Sequence, residues 1–390
     1  MQPFDFTYSS FSLIIICYLL SFFFLRPAIG LVSALTCTFV KLIVPIIYFF
    51  FFFDGTFTAL DDWNYLTKGF DLYDQYGFAA SYDISLVPKI ISYVGTFHYL
   101  NYVWNSVLLG IWGEHYYVPV FFNVVFTSMT TLYLFKLLNL SGFSVKMSRL
   151  MALYFCLHLS VISWSSFMNL RDPLVLLLTV LMFYLIRILS VEFTPRLLFM
   201  LFVVVTLFVF VRSYIPFLIL AVEGCFILST SRYSLKLRCL ILVGASALSY
   251  FWGFRVVLSG LTHLKFDLSL PANLLKFLLT PAPWQVSPNY EFLILDAIQH
   301  WALFPFMLLG ALYGFMNQPK LRPLFVYAAF LILLYAAVPA QTGVRYRFQL
   351  IFIIAPCQLY GLHIFFMSLR RFCSNRRMIK LSTVVEPQST

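Results

Sequence analysis

Apolar runs of about 17 to 25 residues follow one another from Phe11 to Met367 with only short polar breaks. Runs of that length read as helices that cross a bilayer, because backbone polar groups in lipid are satisfied within their own segment. The spans fall at 10–26, 30–53, 116–138, 149–166, 173–190, 197–212, 214–230, 239–256, 297–315, 323–340 and 346–368. The expected fold is therefore an all-α polytopic integral membrane protein with about eleven transmembrane helices (range ~10–12) in one domain over residues 1–390. Met1 to Ser10 hold one Asp and no Lys or Arg, so 11–25 lacks the basic flank of a secretory signal and reads as a retained first span.

Two segments interrupt the rhythm, 54–115 and 255–296, and both are too long to be turns. The first mixes apolar and aromatic residues such as Ile90, Tyr93, Val94, Leu100, Trp104 and Trp112, a pattern suited to one or two amphipathic helices lying in the membrane interface. The second carries Pro271, Pro281 and Pro283 before Trp284, which predicts a short helix from Asn273 to Leu279 followed by a rigid extended stretch.

Composition agrees with a lipid environment. Hydrophobic residues make up 62% of the chain and charged residues 11%, against about 25% charged in an ordinary soluble domain. A net charge of +11 would suggest a nucleic-acid partner in a soluble protein, but here the basic residues lie in short loops and in the tail, so none is expected. With the N-terminus outside, the inner loops carry Arg26, Lys136, Lys146, Arg149, Arg187, Arg196, Arg232, Lys236, Arg238, Lys320 and Arg322. Residues 369–390 then form a basic cytoplasmic tail, and 54–115 and 255–296 become large periplasmic loops of a multi-pass bacterial inner-membrane protein.

The same topology puts nearly all carboxylates outside, including Asp54, Asp61, Asp62, Asp172, Glu291 and Asp296. Acidic residues hardly influence insertion, so this segregation asks for another cause, and an outward-facing site supplies one. The seven cysteines are scattered without C-x-x-C spacing, and the histidines lack zinc-type spacing. No Walker loop, dinucleotide fingerprint or nucleophile elbow is found, so the energy for any reaction comes with the substrate. Glu223 alone inside a span is weak support for a transporter.

Asp61 and Asp62 stand just beyond the second span in an aromatic setting. Adjacent carboxylates suit a general base for an acceptor hydroxyl or a divalent cation, and equally a solvated loop or helix cap. Arg171 and Asp172, in Asn169-Leu170-Arg171-Asp172-Pro173, form a charged pair between two apolar runs. Asp172 either caps the next helix or does so and also serves a site. Arg212, Arg345 and Arg347 lie at outer helix ends against the positive-inside bias, and converging guanidiniums suit a phosphate or diphosphate clamp. Pairing with carboxylates or snorkelling to headgroups is the alternative for each. Arg255, Lys265 and Lys276 flank the second loop and extend the same basic surface if they are more than solvated.

In order, these motifs resemble those of bacterial polytopic glycosyltransferases of GT-C type and of the related Wzy-type O-antigen and exopolysaccharide polymerases. The resemblance rests on Asp61, Asp62 and Tyr65 in the first large loop, Arg171-Asp172 opening a Leu-rich span, and Arg212 with Tyr214. It continues with Pro281-Ala282-Pro283-Trp284 and with Arg345-Tyr346-Arg347 opening the last span. The chain carries neither the large soluble domain of oligosaccharyltransferases nor the arginine-to-glycine loop repeat of the best-known polymerases. The resemblance implies that Asp61 or Asp62 is the catalytic base. It implies that Arg171, Asp172, Arg212, Arg345 and Arg347 hold the (di)phosphate, with Tyr65, Trp284 and Lys276 as loop contacts.

The expected activity is repeat-unit polymerisation from a polyprenyl-diphosphate-linked glycan donor onto a glycan acceptor. The alternatives are transfer of one monosaccharide from a polyprenyl phosphate and flipping of a lipid-linked oligosaccharide. A divalent cation is the one cofactor the acidic pair would suit, and a chain-length regulator or another polysaccharide-assembly protein is the expected partner.

Overall fold

The computed structural model describes residues 7–55, 61–229, 238–239, 269–286, 288–338 and 344–382. All described regular structure is helical.

Helix α1 (Tyr8–Ile29) begins where the Thr7 side chain accepts the Ser10 N–H at 3.3 Å. It ends at Gly30, whose φ of 87° lets the chain turn straight into α2 (Leu31–Ile47), continued by a π-turn at Tyr48–Phe52. The first long loop then folds into α3 (Asp61–Tyr76), α4 (Ala79–Tyr82), α5 (Val87–Val94) and α6 (Leu100–Trp112). Helices α3 and α6 lie side by side and parallel. Tyr65 meets Tyr102, and Gly69 and Gly110 let the two backbones close on Asn105 and on the Tyr73 ring.

Three apolar elements follow: α7 (Tyr117–Leu140), the bent pair α8 (Val145–Leu157) and α9 (Leu159–Ser166), and α10 (Asp172–Val191). The 45° break between α8 and α9 falls at His158, whose extended backbone (φ −62°, ψ 133°) interrupts the helix. His158 accepts the Ser160 N–H at 3.1 Å, and Gln299 accepts that of Leu159 at 3.0 Å, so the freed donors are satisfied inside the protein.

Next come α11 (Pro195–Val211) and α12 (Tyr214–Ser229), and beyond 268 α13 (Leu270–Leu279), α14 (Ile294–Asn317), α15 (Arg322–Ala336), α16 (Val344–Phe348) and α17 (Ile351–Ser382). Helices α14 and α17 cross at Gly310 and Gly361. A methyl on either would overlap the carbonyl of Cys357 or of Phe306, so only glycine allows this backbone approach.

The expectation of about eleven spans is corrected. Among the described residues, seven helices are long and apolar enough to cross a membrane, or eight if the bent pair is one span. Residues 197–212 correspond to α11, of 17 residues, and 214–230 to α12, which runs over Tyr214–Ser229 up to the edge of the described residues. At about 1.5 Å per residue α11 reaches ~25 Å, short of a hydrocarbon core of about 30 Å. The run at 239–256 lies almost wholly outside the described residues, as do Arg255 and Lys265. The protein is a multi-pass, all-helical integral membrane protein.

The helices place their ends at two levels. At the first, Ser10 and Tyr117 share a hydrogen bond at 2.6 Å, Phe53 stacks on Tyr116, and the Asn123 amide donates to the Met168 and Leu170 carbonyls. At the second, Lys320 donates to the Leu140 carbonyl at 3.3 Å. Arg26, Lys146, Arg149, Arg196 and Arg322 sit at helix ends on that second level.

Candidate functional site

The starts of α3 and α10, the end of α11 and the short α16 meet at the first level, and each brings a charge. Arg345, on α16, forks between two carboxylates: its Nε lies 2.8 Å from Asp172 Oδ2 and its Nη1 2.6 Å from Asp61 Oδ2. Asp172 is fully buried, and its Oδ1 takes Arg212 Nη1 at 3.1 Å and Gln349 Nε2 at 3.3 Å. Two oxygens therefore receive three donors, which is how a buried carboxylate remains charged. None of these donors is a backbone N–H of α10, so the Asp172 side chain does not spend itself on capping that helix.

Exposure rises along the chain of charges. The Asp172 side chain is 0% exposed, Arg212 6%, Arg345 18% and Asp61 48%. Burial disfavours the Arg345 charge, but Asp172 and Asp61 outweigh it and hold its pKa well above the ordinary value.

Behind this row, Gln349 accepts from the Tyr335 hydroxyl at 2.6 Å, and Tyr335 shares a 2.7 Å hydrogen bond with Tyr214. The Arg212 guanidinium lies between the Tyr214 and Tyr346 rings, 5.5 and 5.3 Å from their centroids. Arg171 is half-buried over the Tyr65 ring at 6.0 Å and donates Nη1 to the Val211 carbonyl at 3.3 Å. Its Nε is buried with no hydrogen-bond partner among the described residues, as is Nδ1 of His98. Burial first, then the charges of Arg171 and Arg212, lower the His98 pKa from 6.5 to about 4.

The two adjacent aspartates have different surroundings. Asp62 is fully buried and accepts from the Tyr116 hydroxyl at 2.6 Å, whereas Asp61 faces Arg345 at the surface. Asn169 ties the same corner together, donating Nδ2 to Asn105 Oδ1 at 2.7 Å and to the Asp62 carbonyl at 3.4 Å. Among the described residues, no group of three or more His, Cys, Asp or Glu side chains is arranged to hold a metal ion.

Arg347 joins a separate network. Its Nη1 donates to the Thr280 carbonyl and its Nη2 lies 3.5 Å from Asp296 Oδ2, while Ser160 donates to the other Asp296 oxygen. His300 donates to the Leu278 carbonyl at 2.8 Å and Trp301 to that of Leu279 at 2.9 Å, so the end of α13 is pinned from α14 and α16. Trp284 is exposed beside Trp301, and Lys276 is exposed on α13. Glu223 pairs with Arg187 at 2.9 Å.

Of the residues singled out in the sequence, Asp61, Tyr65, Arg171, Asp172, Arg212 and Arg345 come together. Asp62 stands behind them, and Arg347, Trp284 and Lys276 belong to the α13–α14 connection. Tyr116, Asn105, Gln349 and Tyr335 were not singled out in the sequence, and His98 was weighed there only as a metal ligand. Asn105 and Gln349 had one available signal, a primary amide inside an apolar run, where a polar group has to find a partner.

No protein-family model matches the chain, and no curated protein matches it.

Proposed function

We propose that the protein is a membrane glycosyltransferase that takes a glycan from a polyprenyl-(di)phosphate carrier, acting as a repeat-unit polymerase. The observation that carries this reading is the half-exposed Asp61 held 2.6 Å from Arg345 at one level of the helix ends. A carboxylate able to accept a proton and a guanidinium able to take a phosphate oxygen stand side by side there. A fully buried Asp172 fixes the guanidinium from behind.

In the reaction, the acceptor hydroxyl oxygen attacks the anomeric carbon of the donor. The bond from that carbon to the phosphate oxygen breaks, and its electron pair leaves with the phosphate. Asp61 takes the acceptor proton, a contribution of about 100-fold or more for a well-placed base. Arg345 and Arg171 stabilise the charge growing on the leaving phosphate, at ~3 kcal/mol for a well-placed donor. Asp172, Arg212 and Gln349 act through Arg345 as positioning residues.

The level that holds the site faces the periplasm of a bacterial inner membrane in this reading, since Arg26, Lys146, Arg149, Arg196 and Arg322 stand at the other level. A lipid-linked substrate then reaches Asp61 and Arg345 from the outer leaflet.

The test replaces Asp61 and Arg345 singly by Ala in the producing cell and compares surface glycan length at matched membrane levels of the protein. Single lipid-linked repeats are expected to accumulate as long chains disappear. Loss of one sugar from an otherwise complete glycan selects monosaccharide transfer instead. Long chains that persist in both variants sink the reading.

A further inference from the structure

Arg345 serves two carboxylates, and the two are not equivalent. Asp172 is fully buried, shared with Arg212 and Gln349, and rooted in the first turn of α10. Asp61 is nearly half exposed and, among the described residues, held only by Arg345 Nη1. Moving Asp172 would leave the buried Arg212 without its counter-ion and Arg345 with Asp61 alone, whereas Asp61 can rotate into solvent at the loss of one partly exposed ion pair.

The charge balance of the mouth points the same way. With Asp61 seated, Arg171, Arg212 and Arg345 face two carboxylates. With Asp61 turned away they face one, and the cluster is left with an excess of two positive charges. Arg171 Nε and His98 Nδ1, both buried and lacking a hydrogen-bond partner among the described residues, are further polar atoms that a ligand with several oxygens can satisfy.

We propose that Asp61 is a removable counter-ion on Arg345, which a diphosphate bearing two negative charges displaces while Asp172 stays in place. This rests on the reading of the site as one for a phosphate-linked donor and adds an order to it. In the empty site the Asp61 oxygen nearest Arg345 is occupied. Donor phosphate takes over Arg345 Nη1 and frees that oxygen to receive the acceptor proton. Base and donor site are thus coupled, and the acceptor is activated only after the donor has bound. A dianion fits the vacated charge; a phosphodiester, with a single charge, leaves part of it unmet.

The probe is magnesium-free inorganic pyrophosphate, with dimethyl phosphate as the singly charged comparison. Binding is measured by calorimetry on the full chain in nanodiscs of uncharged-headgroup lipid. Asp61→Asn keeps the shape of the side chain and removes the competitor, so it is expected to bind pyrophosphate about tenfold more tightly than the parent, one charge-assisted hydrogen bond being no longer contested. Dimethyl phosphate affinity is expected to change little, and Arg345→Gln to abolish pyrophosphate binding.

A second measurement on the unaltered protein avoids any effect of substitution on folding. Labelling of Asp61 by a water-soluble carbodiimide and an amine, read by mass spectrometry, is expected to rise when pyrophosphate is added. If the parent binds pyrophosphate but Asp61→Asn binds it no more tightly, or Asp61 labelling falls on binding, the exchange is refuted and the phosphate site remains. If neither folded protein binds pyrophosphate, the phosphate-site reading falls and the exchange falls with it.

Discussion

Arg345 Nε meets Asp172 Oδ2 at 2.8 Å across 173 positions of sequence, joining the start of α10 to the turn that precedes the last span. Arg212 reaches the other oxygen from the end of α11, so one carboxylate holds three elements at one level. Replacing Asp172 by Ala leaves the buried Arg212 without a counter-ion and Arg345 with Asp61 alone. We expect a loss of about 3 to 5 kcal/mol, the usual result of removing one partner of a buried pair. Asp172→Asn keeps the shape and part of the hydrogen bonding and is expected to lose less. Thermal unfolding in matched detergent gives the order, and an Ala variant as stable as the parent contradicts the network.

Arg347 and Asp296 form a structural pair at the pinned end of α13. Burial outweighs the nearby Asp296 and lowers the Arg347 pKa, which marks a charge kept for its hydrogen bonds. Single replacements Arg347→Gln and Asp296→Asn should each destabilise, and the double variant by less than their sum, with a coupling of about 0.5 to 3 kcal/mol. Strict additivity in a double-mutant cycle would mean that the two side chains act independently.

Gly310 and Gly361 make a different prediction, because no charge is involved. An added methyl at either position overlaps a backbone carbonyl of the opposite helix, and a carbonyl within a helix cannot move aside as a flexible side chain can. Gly310→Ala and Gly361→Ala are expected to cost about 1 to 3 kcal/mol or more through overpacking. Gly30, where an added Cβ meets nothing within 4 Å, suffers through its positive φ instead. Thermal unfolding of the three variants should rank the two crossing positions as sensitive to side-chain volume; Gly310→Ser unfolding like the parent overturns the close crossing.

Much of the charge pattern was legible in the chain. Arg212 and Arg345 stood out because the positive-inside bias disfavours arginines at helix ends read as outer, and Arg171 because it forms a charged pair with Asp172 between two apolar runs; the structure gathers them around Asp61 and Asp172. Arg347 has the same chemistry two residues from Arg345, but on a short helical turn side chains at i and i+2 do not share a face, and its guanidinium turns to Thr280 and Asp296. The span count failed at α11 because hydropathy measures apolarity, whereas crossing also needs length. Arg212 ends that helix after 17 residues. The break at His158 was hidden because one polar residue in an apolar run leaves the mean hydropathy almost unchanged.

His98 gives the stability of the protein a pH dependence. Its pKa is lowered from 6.5 to about 4, by burial and by Arg171 and Arg212, so the unfolded chain takes up the proton first as pH falls. Stability is complete above the ordinary value and declines from about 6.5 towards about 4, with carboxylate titration adding to the loss at the lower end. His98→Asn removes the share that His98 contributes and should flatten the upper part of that decline. Unfolding temperatures of both proteins at several pH values between those limits decide it; parallel curves refute the assignment.

Tyr116 and Asp62 test whether the hydrogen bond between them helps to hold the wall behind the site. Asp62 is fully buried and accepts from the Tyr116 hydroxyl at 2.6 Å, while the backbone N–H of Asn169 donates to that hydroxyl at 3.3 Å. Tyr116→Phe removes a donor and an acceptor together, and the buried carboxylate loses one of its donors. A loss of about 1 to 3 kcal/mol is expected. If the charge is the reason, Asp62→Asn made on top of Tyr116→Phe should recover part of the loss, since a neutral amide tolerates the gap better. If the lost ring contacts with Phe53 and Trp63 are the reason, the second change recovers nothing. Because Asp62 adjoins Asp61, the Tyr116→Phe protein should also bind pyrophosphate differently from the parent, and the double variant should return towards it. Recovery of both stability and binding identifies the Tyr116–Asp62 bond as what fixes the start of α3; recovery of neither assigns Tyr116 to packing alone.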